Sequence, residues 1–275
     1  MKFLSHCLIK FPTSKANISL GLIILFSFGI HMVSKCSDAM NPEYLIEILD
    51  KLEKGENITF TKYGDGEYFC MIGMQGHNCD GDSYHAWLGS RLKEALLSLS
   101  KKPNTYIGKW WVAETYDYCD SIAKMHNIKI PWAWYHLFIN DDEALNFDYM
   151  YKFVKFMVNT QRKKILICNN MNKRLKNFFR ADVYIEIPSA NWSYNYNNVK
   201  NELQKHLQKD CVILISAGLC SKVLIDDITN DHEVTFIDLG SSFDLLARKK
   251  NTRGWTHSYE SELKYYKDFI SVNWD

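Results

Sequence analysis

Past Asn41-Pro42, the apolar residues Leu45, Ile46, Ile48, Leu49 and Leu52 recur every few positions. That is the spacing of one helix face, which Pro42 suits at its start and Gly55 ends. The pattern then changes. Segment 58–63 (ITFTKY) is rich in β-branched and aromatic residues and stops at Gly64-Asp65-Gly66, which predicts a strand running into a glycine-bearing loop. Further β-type runs fall at 105–108, 164–168, 183–187, 211–216 and 234–239, and helical spacing fills most of the gaps, at 91–99, 149–158, 199–207 and 221–228. Several strand runs are continuously apolar, as in Val212-Ile213-Leu214-Ile215. Strands of this kind alternating with helices predict an α/β fold, a Rossmann-like, mainly parallel sheet with helices on both faces. Such sheets bind ligands beyond the carboxyl ends of their strands. The stretch 188–198 (PSANWSYNYNN) reads as a loop of the sort that carries function.

One apolar run stands apart from this alternation. Residues 18–33 (ISLGLIILFSFGIHMV) are uncharged and follow Lys2, Lys10 and Lys15. At about 1.5 Å per residue the run is slightly short for a bilayer core of roughly 30 Å. Three readings stay open: an uncleaved single-pass anchor, an ordinary core or partner-binding helix, and a cleaved signal without a small-residue cleavage site. An anchor would place the protein at a membrane with its N-terminus in the cytoplasm, because the lysines before the run outnumber Lys35 after it. Without one, the expected location is the cytoplasm. The chain therefore divides into an extension, 1–40, and one domain, 41–275.

Composition narrows the partners. The 275 residues are 47% hydrophobic, enough for a full core. Thirty-three basic residues against 32 acidic ones leave a formal charge of +1 and no long basic run, so nucleic acid is not expected as a partner. The eight cysteines have no paired CxxC spacing, and the histidines have no metal-ligand spacing, so no zinc site is expected. Cys168 and Cys211 fall in apolar strand runs, where a thiol acts as a small hydrophobe.

The candidate chemistry lies at the predicted strand ends. In Lys62-Tyr63-Gly64-Asp65-Gly66-Glu67, two carboxylates flanking a glycine can converge on a hard divalent ion, and Lys62 adds a cation. A plain turn would explain the same Asp-Gly. Gly218 followed by Ser221 makes a strand, a glycine turn and a helix start, whose free N–H groups attract phosphate. A tight turn alone is the competing account. Asn169 and Asn170 end a strand, and Asn191 and Trp192 sit in the long loop, where amides can bond sugar hydroxyls and an indole can stack on a ring. Asp238 and Asp244 bracket Gly240-Ser241-Ser242 and suit a general base or a helix cap. Glu114 and Asp117 are reserve bases, and Arg253 is a candidate diphosphate contact.

The string KYGDGE resembles the RxGDGE signature of the GT-D type glycosyltransferases, a family first catalogued as a domain of unknown function. The likeness runs through most of 41–246: the strand and turn 164–170, Ile187-Pro188-Ser189-Ala190-Asn191, the strand and glycine 212–218, and Phe236-Ile237-Asp238-Leu239-Gly240, in the family's order. Lys62 departs from the family's usual Arg, keeping the charge but losing the bidentate fork. The resemblance implies a metal-dependent glycosyltransferase, hexosyl or pentosyl, that takes a nucleotide-sugar donor, a UDP-sugar, and a hydroxyl of a glycan acceptor. Asp65 and Glu67 match the family's Asp-x-Glu and would hold Mn²⁺ or Mg²⁺ at the catalytic centre. Asp238 and Asp244 would be further catalytic carboxylates, and Lys62, Gly66, Asn169, Asn191, Gly218, Ser221 and Arg253 would line the donor. The rivals are a metal-dependent phosphohydrolase and a non-catalytic carbohydrate- or nucleotide-binding module.

Overall fold

The computed structural model describes residues 43–270 apart from 111, 136, 139–146, 251 and 253–258. The apolar run 18–33 and Arg253 lie outside the described residues. Among those described, no helix is long and apolar enough to cross a membrane.

Seven strands form one sheet: β1 (Thr59–Tyr63), β2 (Thr105–Lys109), β3 (Trp132–Trp134), β4 (Lys164–Asn169), β5 (Val183–Ile187), β6 (Val212–Ser216) and β7 (Thr235–Asp238). Their order is β3-β2-β1-β7-β6-β4-β5, and every pairing is parallel. The helices are α1 (Glu43–Glu53), α2 (Asp65–Met71), α3 (Ala86–Leu99), α4 (Ala113–Met125), α5 (Phe147–Asn159), α6 (Leu175–Phe178), α7 (Tyr196–Gln204), α8 (Ser221–Asp231), α9 (Asp244–Arg248) and α10 (Tyr259–Tyr265).

Successive side chains on a strand point to opposite faces, so β6 sends Ile213 and Ile215 into one core and Val212 and Leu214 into the other. The first core is closed by Leu88, Leu92 and Leu96 of α3, Val199 and Leu203 of α7, and Val223 and Leu224 of α8. The second is closed by Leu45, Ile48 and Leu52 of α1, Phe153 and Met157 of α5, and Leu246 of α9. Each of these buried apolar side chains contributes about 1.5–3 kcal/mol relative to exposure. Cys168 and Cys211 are buried in strand positions, and burial pushes the Cys168 thiol up to about 12.

The strand runs read from the sequence are all present, and the expected mainly parallel sheet is wholly parallel among the described strands. Among the elements the sequence did not announce are β3 and α4, besides the short helices α6 and α10. β3 is only three residues, Trp-Ala-Trp on the sheet edge, too short to show an alternation. α4 carries its buried positions, Thr115, Tyr116, Cys119, Ile122 and Ala123, among charged neighbours that dilute its apolar pattern. One expectation is corrected: the chain after β1 is a single-residue turn at Gly64 and then helix α2, not a loop through Gly66.

The topology also sets the neighbours of that turn. β7 inserts between β6 and β1, pairing Phe236 with Thr59 and Ile237 with Phe60. The turns after β1, β6 and β7 therefore meet at one edge, although they come from opposite ends of the chain.

Candidate functional site at the carboxyl edge of the sheet

The start of α2 is decided by its own side chain. The Gly64 N–H donates to Glu67 Oε2 at 2.8 Å, so the third helical residue reaches back over the helix start. Residues two apart on a helix point about 200° apart. Asp65 is accordingly exposed and Glu67 is only 7% exposed. The two carboxylates of the motif divide the work, one facing out and one facing in, where a loop would have let them converge.

Glu67 points at a residue the sequence did not single out. Lys222, in the first turn of α8, lies 2.9 Å from Glu67 Oε1 and 2.9 Å from Asp238 Oδ2 at the end of β7. Its ammonium also donates to the Gly218 carbonyl at 3.2 Å. Burial alone would lower this lysine, but the Asp238 and Glu67 carboxylates outweigh burial and hold it above the ordinary lysine value. The signal in the sequence was a lone charge at the head of the apolar run Val223-Leu224-Ile225. Asp238 is further fixed by the Gly240 N–H at 3.0 Å. Beside this triad Lys62, only 3% exposed, donates to the Leu239 carbonyl at 3.1 Å and to Ser242 Oγ at 3.3 Å. Burial lowers it to about 8, aided by the nearby Lys222 charge and opposed by Asp238.

A clasp covers the turn after β6. Gly218 has φ +59°, and a Cβ on it would strike the Asp82 carboxylate, so both conformation and space demand glycine. Asp82 takes the Asn191 N–H at 2.7 Å, and Asn191 Oδ1 takes the Ser83 N–H at 2.7 Å. Burial pushes the Asp82 carboxyl up, against the Asn191 and Leu219 N–H groups that bond it. The helix start predicted to receive phosphate is thus faced by the chain's own carboxyl. Ser221 is fully buried and donates to the Gly218 carbonyl at 2.7 Å. Gly66 packs closely on the same turn, since a Cβ there would lie 3.0 Å from Leu219 Cδ2.

A second polar network lies under β4 and β6. Asn172 donates to Ser216 Oγ at 3.1 Å and to Asp244 Oδ1 at 2.8 Å, and it accepts from Arg248 Nε at 2.7 Å. Asp244 Oδ2 takes Thr252 Oγ1 at 2.9 Å and lies 3.3 Å from Arg248 Nη2. Asp244 is thereby a buried structural anion. Asn169, at the end of β4, keeps a buried Oδ1 without a hydrogen-bond partner among the described residues. Glu114, at the head of α4, is half-buried, and Asp117 is exposed. Trp192 is core, with its Nε1 donating to the Ala217 carbonyl at 2.5 Å.

Among the described residues, no three His, Cys, Asp or Glu side chains come close enough to hold an ion by themselves. Magnesium-type ions in nucleotide chemistry take one or two carboxylates and complete their shell with phosphate oxygens and water. The exposed Asp65 carboxylate at a strand end fits that arrangement. Glu67, as seated, faces an ammonium instead.

With this geometry in place, three solved structures align along most of the chain, each at 18% identity and over 83% of it. A selenomethionine-substituted structure of domain of unknown function 1792 gives a TM-score of 0.52 over 89% of that chain. A second, described as having a distinct glycosyltransferase fold, gives 0.54 over 89% of its chain. A third, a new glycosyltransferase (DUF1792) from Streptococcus sanguinis, gives 0.55 over 97% of its chain. Residues 113–246 match the family model of the GT-D fold-like domain. The chain has the GT-D-like fold. No curated protein matches it in sequence. The matched GT-D-like region runs from α4 to α9 and holds Lys222, Asp238, Asn172 and Asp244. The KYGDGE segment precedes it, joined through the β1–β7 pairing and the Glu67–Lys222 ion pair.

Proposed function

We propose that the protein is a glycosyltransferase, moving a hexosyl or pentosyl group from a nucleotide-sugar, a UDP-sugar, to a hydroxyl of a glycan acceptor. The observation that carries this reading is the exposed Asp65 carboxylate at the first position of α2, just past the end of β1 in a GT-D-like sheet, on the same helix as Glu67 of the buried Glu67–Lys222–Asp238 triad. Asp65 is the residue that would hold Mn²⁺ or Mg²⁺ together with donor phosphate oxygens. When bound, such an ion neutralises the charge that builds on a leaving diphosphate.

The chain's own residues supply the rest. Glu67 fixes the turn through the Gly64 N–H and holds Lys222, which Asp238 also pairs, so that the base of this edge is stiff. Asn169 Oδ1 is an acceptor that a donor hydroxyl would satisfy, removing a desolvation cost of about 1–3 kcal/mol. Asp238 and Asp244 are both held by cations, so neither is placed to take a proton from an acceptor. Glu114, at the head of α4 beyond the end of β2, has the exposure such a base needs. Arg253 and a membrane contact through residues 18–33 belong to the same proposal. Deleting residues 1–38 should leave a soluble, active domain.

The deciding experiment incubates the protein with a panel of nucleotide-sugars, with and without Mn²⁺, and follows release of nucleoside diphosphate. Metal-stimulated release of UDP from one donor is expected. Release of inorganic phosphate would favour the phosphohydrolase, and binding without turnover would favour a binding module.

A further inference from the structure

Trp110 and Trp192 are buried, at 8% and 1% exposure, but Trp87 is 42% and Tyr194 71% exposed. These two are organised around one ring. Trp87 stacks on His85 at 5.9 Å between centroids with the planes 10° apart, and Tyr194 stacks on His85 at 5.1 Å and 18°. His85 is held on both nitrogens: Nδ1 takes the Leu88 N–H at 3.4 Å as the cap of α3, and Nε2 lies 3.0 Å from Ser193 Oγ. An accepting Nδ1 places the ring proton on Nε2, so the ring donates to the serine. Burial lowers the His85 pKa, which favours the neutral ring. Three nearly parallel rings therefore form a fixed shelf.

Beside the shelf opens a cavity of ≈ 520 Å³, lined by Trp87, Tyr194, Asn195, Asn197, Arg91 and Asp227. Its volume falls in the range of about 300–1,000 Å³ usual for small-ligand sites. Arg91 and Lys200 meet two carboxylates, since Arg91 also pairs with Glu94 at 2.6 Å. Asp227 takes Arg91 at 2.5 Å, Lys200 at 2.7 Å and the Tyr196 hydroxyl at 2.7 Å. A phosphate would find its cation engaged, and a cation would find its carboxylate engaged. A neutral ligand with an apolar face and a rim of hydroxyls meets what is left: the rings cover the face and the side-chain amides bond the rim. That is the chemistry of a pyranose chain.

We infer that the Trp87–His85–Tyr194 shelf and its cavity are a carbohydrate subsite that holds the acceptor glycan, an inference resting on the glycosyltransferase reading. Its connection to the reaction edge is covalent and short. The loop that supplies Ser193 and Tyr194 also supplies Asn191, which is bonded to Asp82 and Ser83, and Asp82 lies against Gly218 at the turn after β6.

The test titrates the full-length protein calorimetrically with a panel of neutral oligosaccharides three to six sugars long, built on glucose, galactose and N-acetylglucosamine, and repeats it with Trp87→Ala and Tyr194→Ala. At least one oligosaccharide should bind saturably, with affinity about tenfold weaker in Trp87→Ala and several-fold weaker in Tyr194→Ala. Hydrolysis of the nucleotide-sugar without acceptor should be unchanged in both. No saturable binding of any oligosaccharide, or equal affinity in all three proteins, overturns the subsite. Saccharide binding lost in the variants while no nucleotide-sugar is ever consumed would keep the subsite and sink the transferase.

Discussion

Two buried polar networks support the carboxyl edge of the sheet, one beneath β1, β7 and α8 and the other beneath β4, β6 and α9. The first is a triad of full charges, Glu67–Lys222–Asp238, with Lys62 close by. The second joins Asn172 to Ser216, Asp244 and Arg248 through directed hydrogen bonds, and its one cation is partly exposed, with 20% of the Arg248 side chain open to water. In a low dielectric, a charge that loses its counter-ion is left with its full desolvation cost, whereas removing the neutral Asn172 side chain leaves Asp244 paired with Arg248 and costs less. The first network should therefore behave as one electrostatic unit and the second as separable bonds. The charged unit is the one joined through Glu67 to the start of α2, the helix that carries Asp65.

That contrast can be broken in four ways. The largest effect is expected for Lys222→Met, which leaves two buried carboxylates uncompensated and should lower the free energy of unfolding by about 3–5 kcal/mol. A loss under about 1 kcal/mol in urea titration would mean that the triad is wet and gives no special stiffness.

Next is pH. Folded Lys62 titrates at about 8, against 10.5 for the ordinary side chain. Folding therefore releases a proton between those values, and stability rises with pH across that window and falls as pH drops back through 8. The size is roughly 3 kcal/mol at about 1.4 kcal/mol per unit. Lys62→Met should remove this slope, which unfolding curves from pH 7 to pH 11 would show, and an unchanged slope would assign it to other groups.

Asn172→Ala should cost about 1–3 kcal/mol, because it strips partners from Asp244, Ser216 and Arg248 without stranding a lone charge. A cost equal to that of Lys222→Met would erase the distinction between the networks.

The smallest stability effect belongs to Asp65→Asn, within about 0.5 kcal/mol because the side chain is exposed. Its activity effect should be the reverse, with UDP release from the donor falling to background while the melting curve stays in place.

The fold was largely legible because its signals are local. The apolar run 212–215 reads as a strand buried on both faces, and Ile213 and Leu214 do feed opposite cores. What escaped was short or diluted, such as Trp132–Trp134 and the helix Ala113–Met125. For the candidate site, the sequence marked the strand-end segment that carries Asp65 and Glu67 and less of what surrounds it. Asp244, read as a catalytic carboxylate or a helix cap, is bonded by Asn172 and Thr252, and Asn191, read as a donor contact, bonds the Ser83 N–H, partners that no spacing in the chain marks. Lys222 and Asp82, which set the electrostatics of the edge, carried no motif at all. Their partners lie far away along the chain, so their spacing could not reveal them.

The sequence by itself determined the alternation of strands and helices, the burial of the strand runs and the placing of glycines and carboxylates at strand ends, because each depends on neighbours a few residues away. Only the tertiary structure decided that β7 enters between β6 and β1 and so brings Lys222 and Asp238 to Glu67. It also decided that Asp65 and Glu67 take opposite sides, since the helix starts at Asp65 and two positions of a helix turn through about 200°. Charges interact through space and not along the chain, so what each carboxylate of the motif faces was fixed only when the sheet closed around it.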